Sequence, residues 1–133
     1  DKGKMSPSDL EPKMALVSGT TSYDNLKDVD IVIEAVFENM ELKKKIFKEL
    51  DQACQSATIL TSNTSALSVS ELAGATKRQD KVIGMHFFYP AHVMKLVEVI
   101  PGLGTSGETI DDVTAFAESL RKIPIRVIPI HNF

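Results

Sequence analysis

The sequence predicts an α/β domain, a sheet of parallel strands with helices packed against it. Three observations carry that prediction. Residues 30–36 form a β-branched run bounded by polar residues, as expected of a parallel strand buried on both faces. Residues 39–55 then place Leu42, Ile46, Leu50 and Cys54 at steps of four, with Phe47 and Ala53 alongside, the pattern of an amphipathic helix. Strand-like and helix-like runs go on alternating to the carboxyl end.

In order along the chain, residues 1–5 read as a polar tail. Ser6-Pro7-Ser8-Asp9 opens a short helix, with Pro7 in the first turn and Asp9 placed for a capping box. Leu10, Met14 and Val17 are its apolar side, and Pro12 works against it. Residues 19–23, rich in threonine and serine, read as a short edge strand, and 25–28 as a turn. Residues 57–61 are a further strand, closed by Ser62-Asn63-Thr64-Ser65. Ser68-Val69-Ser70-Glu71 is a capping box for a helix running to Ala75, and a charged loop follows at 76–80. Residues 81–88 form a buried strand that stops near Pro90, and 96–100 are a second apolar run. Ile110, Val113, Phe116, Ala117 and Leu120 mark a helix over 109–122. Residues 125–130 are a last strand, placed at an edge by Pro129, with 129–133 reading as a tail.

The totals narrow the function classes. A chain of 133 residues is one domain with room for a core, short for a dehydrogenase with separate cofactor and substrate domains. A net charge of -3 argues against a general nucleic-acid or anionic-membrane binder. Lys43, Lys44, Lys45 and Lys48 alternate with Glu41, Glu49 and Asp51, which reads as a solvated helix face. The lone Cys54 has no internal disulfide partner and suits a reducing compartment or a buried position. No apolar run reaches membrane-spanning length and no signal-peptide core is visible, so a soluble, intracellular protein is expected. No metal is expected.

The chemistry gathers between Gly84 and Glu98. An imidazole, His86, lies near the end of one strand, and Glu98 follows twelve residues later in the next apolar run. Ligands of open α/β sheets sit beyond the carboxyl ends of the strands. A histidine there, with an acid brought beside it by the returning chain, is a base held in one tautomer. The plainer alternative is a core histidine and a solvated glutamate. Parallel strands would bring residues 34–38, residues 62–65, and His86 with Tyr89 to the same rim, and that convergence favours a functional crevice. Gly102-Leu103-Gly104-Thr105-Ser106-Gly107 spells a dinucleotide fingerprint, but the following strand has no acid for a ribose. A flexible loop is the better reading of it.

Four motifs occur in order: Ile33-Glu34-Ala35-Val36 with Glu38-Asn39, then Ser62-Asn63-Thr64-Ser65, His86-Phe87-Phe88, and Val97-Glu98-Val99. On these the chain resembles the NAD-binding domain of the 3-hydroxyacyl-CoA dehydrogenases of fatty-acid β-oxidation, from about Leu16 to Lys122. Residues Ala91-His92-Val93-Met94-Lys95 look most like the peroxisomal bifunctional hydratase/dehydrogenase branch. The resemblance implies NAD as cofactor, an acyl-CoA thioester as substrate, and oxidation of (S)-3-hydroxyacyl-CoA to 3-oxoacyl-CoA. It makes His86 the base, Glu98 the acid that holds it, and Ser65 the hydroxyl on the substrate oxygen. Asn63 falls beside the nicotinamide, and Ala35, Glu38 and Lys43 fall on its ribose side. An exposed helix lysine is the plainer reading of Lys43. Ser62 and Thr64 take loop and cap roles. Tyr89 matches a substrate-side position at which relatives carry asparagine or serine.

The fold implied is a partial Rossmann-like sheet lacking the first β-α-β unit and, with that unit, the glycine turn that anchors the pyrophosphate. The expected consequences are weak NAD binding by the chain alone and a homo-oligomer formed through the exposed sheet edge. Peroxisomal location is implied, with the cytoplasm as alternative. Two other readings stay open: a catalytically silent protein with a dehydrogenase-derived shape, and a related NAD-dependent hydroxyacid dehydrogenase.

Overall fold

The computed structural model describes residues 5–128. The amino-terminal tail apart from Met5, Pro129 and the carboxyl-terminal tail lie outside the described residues. The described chain contains α1 (Pro7–Met14), β1 (Ile31–Glu34), α2 (Met40–Ala53), β2 (Ile59–Ser62), α3 (Val69–Ala73), β3 (Val82–Phe87), β4 (Leu96–Pro101), α4 (Gly107–Ser119) and β5 (Ile123–Arg126). The strands form one sheet in the order β1-β2-β3-β4-β5.

The α/β architecture is the expected one, but the sheet is not wholly parallel. β1, β2 and β3 run parallel, β4 runs antiparallel to β3, and β5 runs parallel to β4. The cause is the connection at residues 88–95, which is too short for the crossover a parallel neighbour needs. β1 is shorter than residues 30–36 and is not buried on both faces: only Glu34 is buried, and Ile33 is 39% exposed. It pairs with β2 alone, so its other edge is open among the described residues.

Helix starts follow local chemistry. The side chains of Ser6, Asn39, Ser68 and Ser106 each accept a backbone N–H from the first turn of α1, α2, α3 and α4 respectively. Capping alone does not bury a helix. Leu10, Met14 and Val17, the expected apolar side of α1, are all exposed, and nothing in α1 is buried. Residues 19–23 are not a strand. The hydroxyls of Thr20 and Ser22 bond to neighbouring backbone groups, a local alternative to a sheet ladder. β5 starts earlier than residue 125 and includes Pro124, which is tolerated because the strand is at an edge.

Two apolar clusters flank the sheet. On one face α2 and α3 bring Phe47, Leu50, Val69 and Leu72 onto Leu60 and Val82; on the other, α4 lays Ile110, Val113 and Ala117 over Ile83, Met85, Val97 and Val99. Each fully buried large apolar side chain contributes about 1.5–3 kcal/mol of transfer free energy, so these faces fix the strand order. Gly84 is required where β4 and α3 crowd β3, since a Cβ there would lie 2.8 Å from the Cβ of Ile100 and 3.1 Å from Cγ2 of Val69. The charged loop at 76–80 is less solvated than its composition suggests. The guanidinium of Arg78 is buried, donating to Asp51 Oδ1 at 2.7 Å and to the carbonyls of Asp51 and Cys54 at 2.8 and 3.0 Å. It thereby satisfies the open carbonyls at the end of α2. Cys54 is buried, and burial pushes its thiol up from the ordinary value.

Candidate functional site

β3 and β4 put His86 directly opposite Glu98 in antiparallel register, so both side chains project from one face of the sheet. Nδ1 of His86 lies 2.8 Å from Oε2 of Glu98. A carboxylate only accepts, so Nδ1 carries the proton and Nε2 of the neutral ring has a free lone pair. Phe88 packs against the imidazole with ring centroids 5.0 Å apart, a second constraint on its orientation. The pair is partly open, with side chains 18% and 31% exposed.

Glu98 and Ser65 line the same cleft, of about 350 Å³, with Thr64, Leu67, Ser70, Ile100 and Val127 also on its walls. Ser65 is exposed on the turn after β2. Asn63 ties this turn to the histidine strand: its Oδ1 accepts the backbone N–H of Phe87 at 2.8 Å. What Asn63 has left to offer a ligand is therefore its amide N–H donors. Tyr89 is not brought to the cleft. Its side chain is 95% exposed and absent from the cleft walls.

Beneath the rim lies a group of ions. Lys43 is fully buried, and its ammonium donates to Oε1 and Oε2 of Glu34 at 2.8 and 2.9 Å. It also pairs with Oε2 of Glu38 at 3.3 Å. Neither an open ribose-side lysine nor a solvated helix lysine describes this position. Glu34, at the tip of β1, further accepts the Val36 N–H and the Ser62 hydroxyl, both at 2.6 Å. Glu38 accepts the Thr64 hydroxyl and, at 3.2 Å, the Ser65 N–H. Burial pushes Glu38 up, but the Thr64 hydroxyl and the Lys43 ammonium outweigh it and leave the carboxyl below its usual value. Ser62 and Thr64 thus do structural work; the Thr64 oxygen also accepts the N–H groups of Ala66 and Leu67. Ala35 is exposed on the rim beside them.

Sequence reasoning missed Glu34 as a site residue and missed the burial of Lys43. A signal was present: Lys43, Phe47, Leu50 and Cys54 fall on one helical stripe, and all four are buried.

The glycine-rich segment sits at the opposite rim, because β4 runs against β3. It is a pinned turn rather than a flexible loop. The Gly102 and Leu103 N–H groups go to the hydroxyls of Thr105 and Ser70 at 2.8 and 2.9 Å, and the Thr105 hydroxyl donates to the Val82 carbonyl at 2.6 Å. The Thr105 and Ser106 N–H groups also go to backbone carbonyls, of Gly102 and Asp80.

Among the described residues no group of acidic, histidine or cysteine side chains could hold a metal, and no helix is long and apolar enough to cross a membrane. Residues 1–130 match the family model described as 3-hydroxyacyl-CoA dehydrogenase, NAD binding domain. The chain is 51% identical over 126 residues to a 3-hydroxybutyryl-CoA dehydrogenase of Clostridioides difficile, covering 95% of this chain and 45% of that protein. It is also 51% identical over 118 residues to the peroxisomal bifunctional enzyme of Danio rerio, covering 89% of this chain and 16% of the relative. The crystal structure of (S)-3-hydroxybutyryl-CoA dehydrogenase PaaH1 from Ralstonia eutropha superposes with a TM-score of 0.90 at 48% identity, over 94% of this chain and 44% of that one. The chain thus spans less than half the length of these relatives.

Proposed function

The chain belongs to the NAD-binding-domain family of the 3-hydroxyacyl-CoA dehydrogenases, and from that premise we propose that the protein containing it oxidises (S)-3-hydroxyacyl-CoA to 3-oxoacyl-CoA in β-oxidation. The observation that carries this reading is the 2.8 Å contact between His86 Nδ1 and Glu98 Oε2, beside a cleft that Ser65 shares.

Oxidising the 3-hydroxyl requires removal of its proton and of the hydride on the adjacent carbon. NAD supplies the hydride acceptor when bound. The rim fits the nicotinamide and ribose half of that cofactor: Ala35 is small and exposed, Glu38 offers carboxylate oxygen, and Asn63 has amide donors to spare. The hydroxyl proton passes to Nε2 of His86. Glu98 holds the neutral ring in the tautomer that leaves Nε2 bare and stabilises the imidazolium that forms. Ser65 donates to the substrate oxygen, and Tyr89, which lies away from the cleft, takes no part in this reading. Lys43 supports the ribose side from below, through Glu38.

The test is NADH oxidation by acetoacetyl-CoA in the full-length protein, the reaction run in reverse. His86→Ala should lower kcat by about 10²–10⁴-fold, the usual contribution of a general base. An unchanged rate would sink the reading.

Two finer points belong to the same proposal. The open edge of β1, with Ile33 and an 87% exposed Phe37 beside it, suits a homo-oligomer contact. A peroxisomal location is supported by the relatives of Danio rerio and Arabidopsis thaliana that carry that name, while bacterial relatives match as well. Sedimentation of the 133-residue chain and imaging of the tagged full-length protein test them, and a monomer or a diffuse cytosolic signal would overturn each.

A further inference from the structure

We propose that Glu34 is a positioning residue for this site, a role that rests on the dehydrogenase reading above. Its side chain is 1% exposed and is not among the residues lining the cleft. Yet it is the point at which three chain segments meet. Oε1 takes the Val36 N–H and the Lys43 ammonium, and Oε2 takes the same ammonium and the Ser62 hydroxyl. These bonds join the end of β1, the first turns of α2 and the last residue of β2.

From there the connection runs outward. Lys43 holds Glu38 at 3.3 Å, and Glu38 accepts the Thr64 hydroxyl and the Ser65 N–H. The backbone adds a parallel link, since the Asn63 N–H donates to the Glu34 carbonyl at 2.7 Å. Ser65 and Asn63 therefore stand at heights set by a group that meets neither substrate nor cofactor. A plain packing role would not need this chain. A buried ion pair is rarely the most stable filling for its volume, and an apolar pair of similar size often does as well or better. Keeping charge here, with every carboxylate oxygen engaged, is what would hold a rim in one geometry.

Three variants of the full-length protein test this: Glu34→Gln, Glu34→Asp and the double variant Glu34→Leu/Lys43→Met. Each is followed by thermal unfolding, by NADH fluorescence titration, and by kcat and KM with acetoacetyl-CoA as a function of pH. The double variant should melt at or above wild type. All three should raise the KM for NADH and acetoacetyl-CoA by about tenfold or more, the scale of an ångström-sized misplacement. The pH dependence of kcat should stay where it is in wild type. That split separates positioning of the rim from general loosening, which would move the pH profile as well. A folded variant with KM values within twofold of wild type would overturn the proposal. So would failure of all three to fold, which would make Glu34 a folding determinant only. An inactive wild type would instead overturn the dehydrogenase reading, and the NADH titration would still show whether Glu34 sets cofactor affinity.

Discussion

Two pairs of a basic side chain and a carboxylate lie on the same face of this sheet, and they are built differently. Lys43 and Glu34 are sealed, every oxygen of the carboxylate is taken, and the pair ties β1, β2 and α2 together. His86 and Glu98 are partly open, and the ring keeps one nitrogen uncommitted. The first pair cannot exchange a proton with a ligand without unpacking; the second is placed to do so. Acid and base chemistry needs a group that is oriented but not saturated, and only the pair on β3 and β4 meets both conditions.

The contrast can be broken from either side. The largest effect is expected at the open pair. Glu98→Ala should lower kcat by about 10²–10⁴-fold with little loss of stability, because the imidazole loses its orienting acceptor and the imidazolium its counter-charge. Steady-state rates with acetoacetyl-CoA and NADH check this, and a loss under about tenfold would place Glu98 outside the chemistry.

Lys43→Met alone should act on folding instead. It leaves the Glu34 carboxylate buried without its cation, at a cost of about 3–5 kcal/mol. Urea unfolding measures it. A change below about 1 kcal/mol would mean that the Val36 and Ser62 donors suffice to hold the charge.

The smallest effect concerns Glu38. Its carboxyl is held below the usual value in the folded protein, so it contributes stability above the unfolded value, about 4.3 for glutamate, and loses it as pH falls through the folded one. Glu38→Gln should lower stability slightly near neutrality and flatten the decline below about pH 4, so that the two proteins converge in acid. Unfolding curves across the acid range would show it, and identical slopes in the two proteins would contradict it.

The same contrast shows what could be read from sequence. The open pair was legible because its two residues lie twelve apart across one turn of chain, so an apolar run on each side is enough to bring them together. The direction of β4 was not legible from apolar pattern, which is alike for parallel and antiparallel strands; the short link at 88–95 decides it. The sealed pair was hidden for another reason. Lys43, Lys44 and Lys45 look equivalent in a charge run, and only the rotation of α2 over the tip of β1 sends the first inward while Lys44 pairs with Glu41 and Glu71 at the surface. The reverse error occurred at α1, where a proper cap and apolar spacing were present but no packed surface meets Leu10, Met14 or Val17. Local pattern specifies a helix; burial depends on what lies opposite.

His86 can act as the base only if its neutral ring carries the proton on Nδ1. Nitrogen-15 NMR of the full-length protein with labelled histidine, the His86 signal being identified by its loss in His86→Gln, reads this directly at a pH where the ring is neutral. A protonated Nδ1 with a bare Nε2 is the predicted state. A proton on Nε2 would leave no lone pair facing the substrate hydroxyl and would contradict the assignment of His86 as the base.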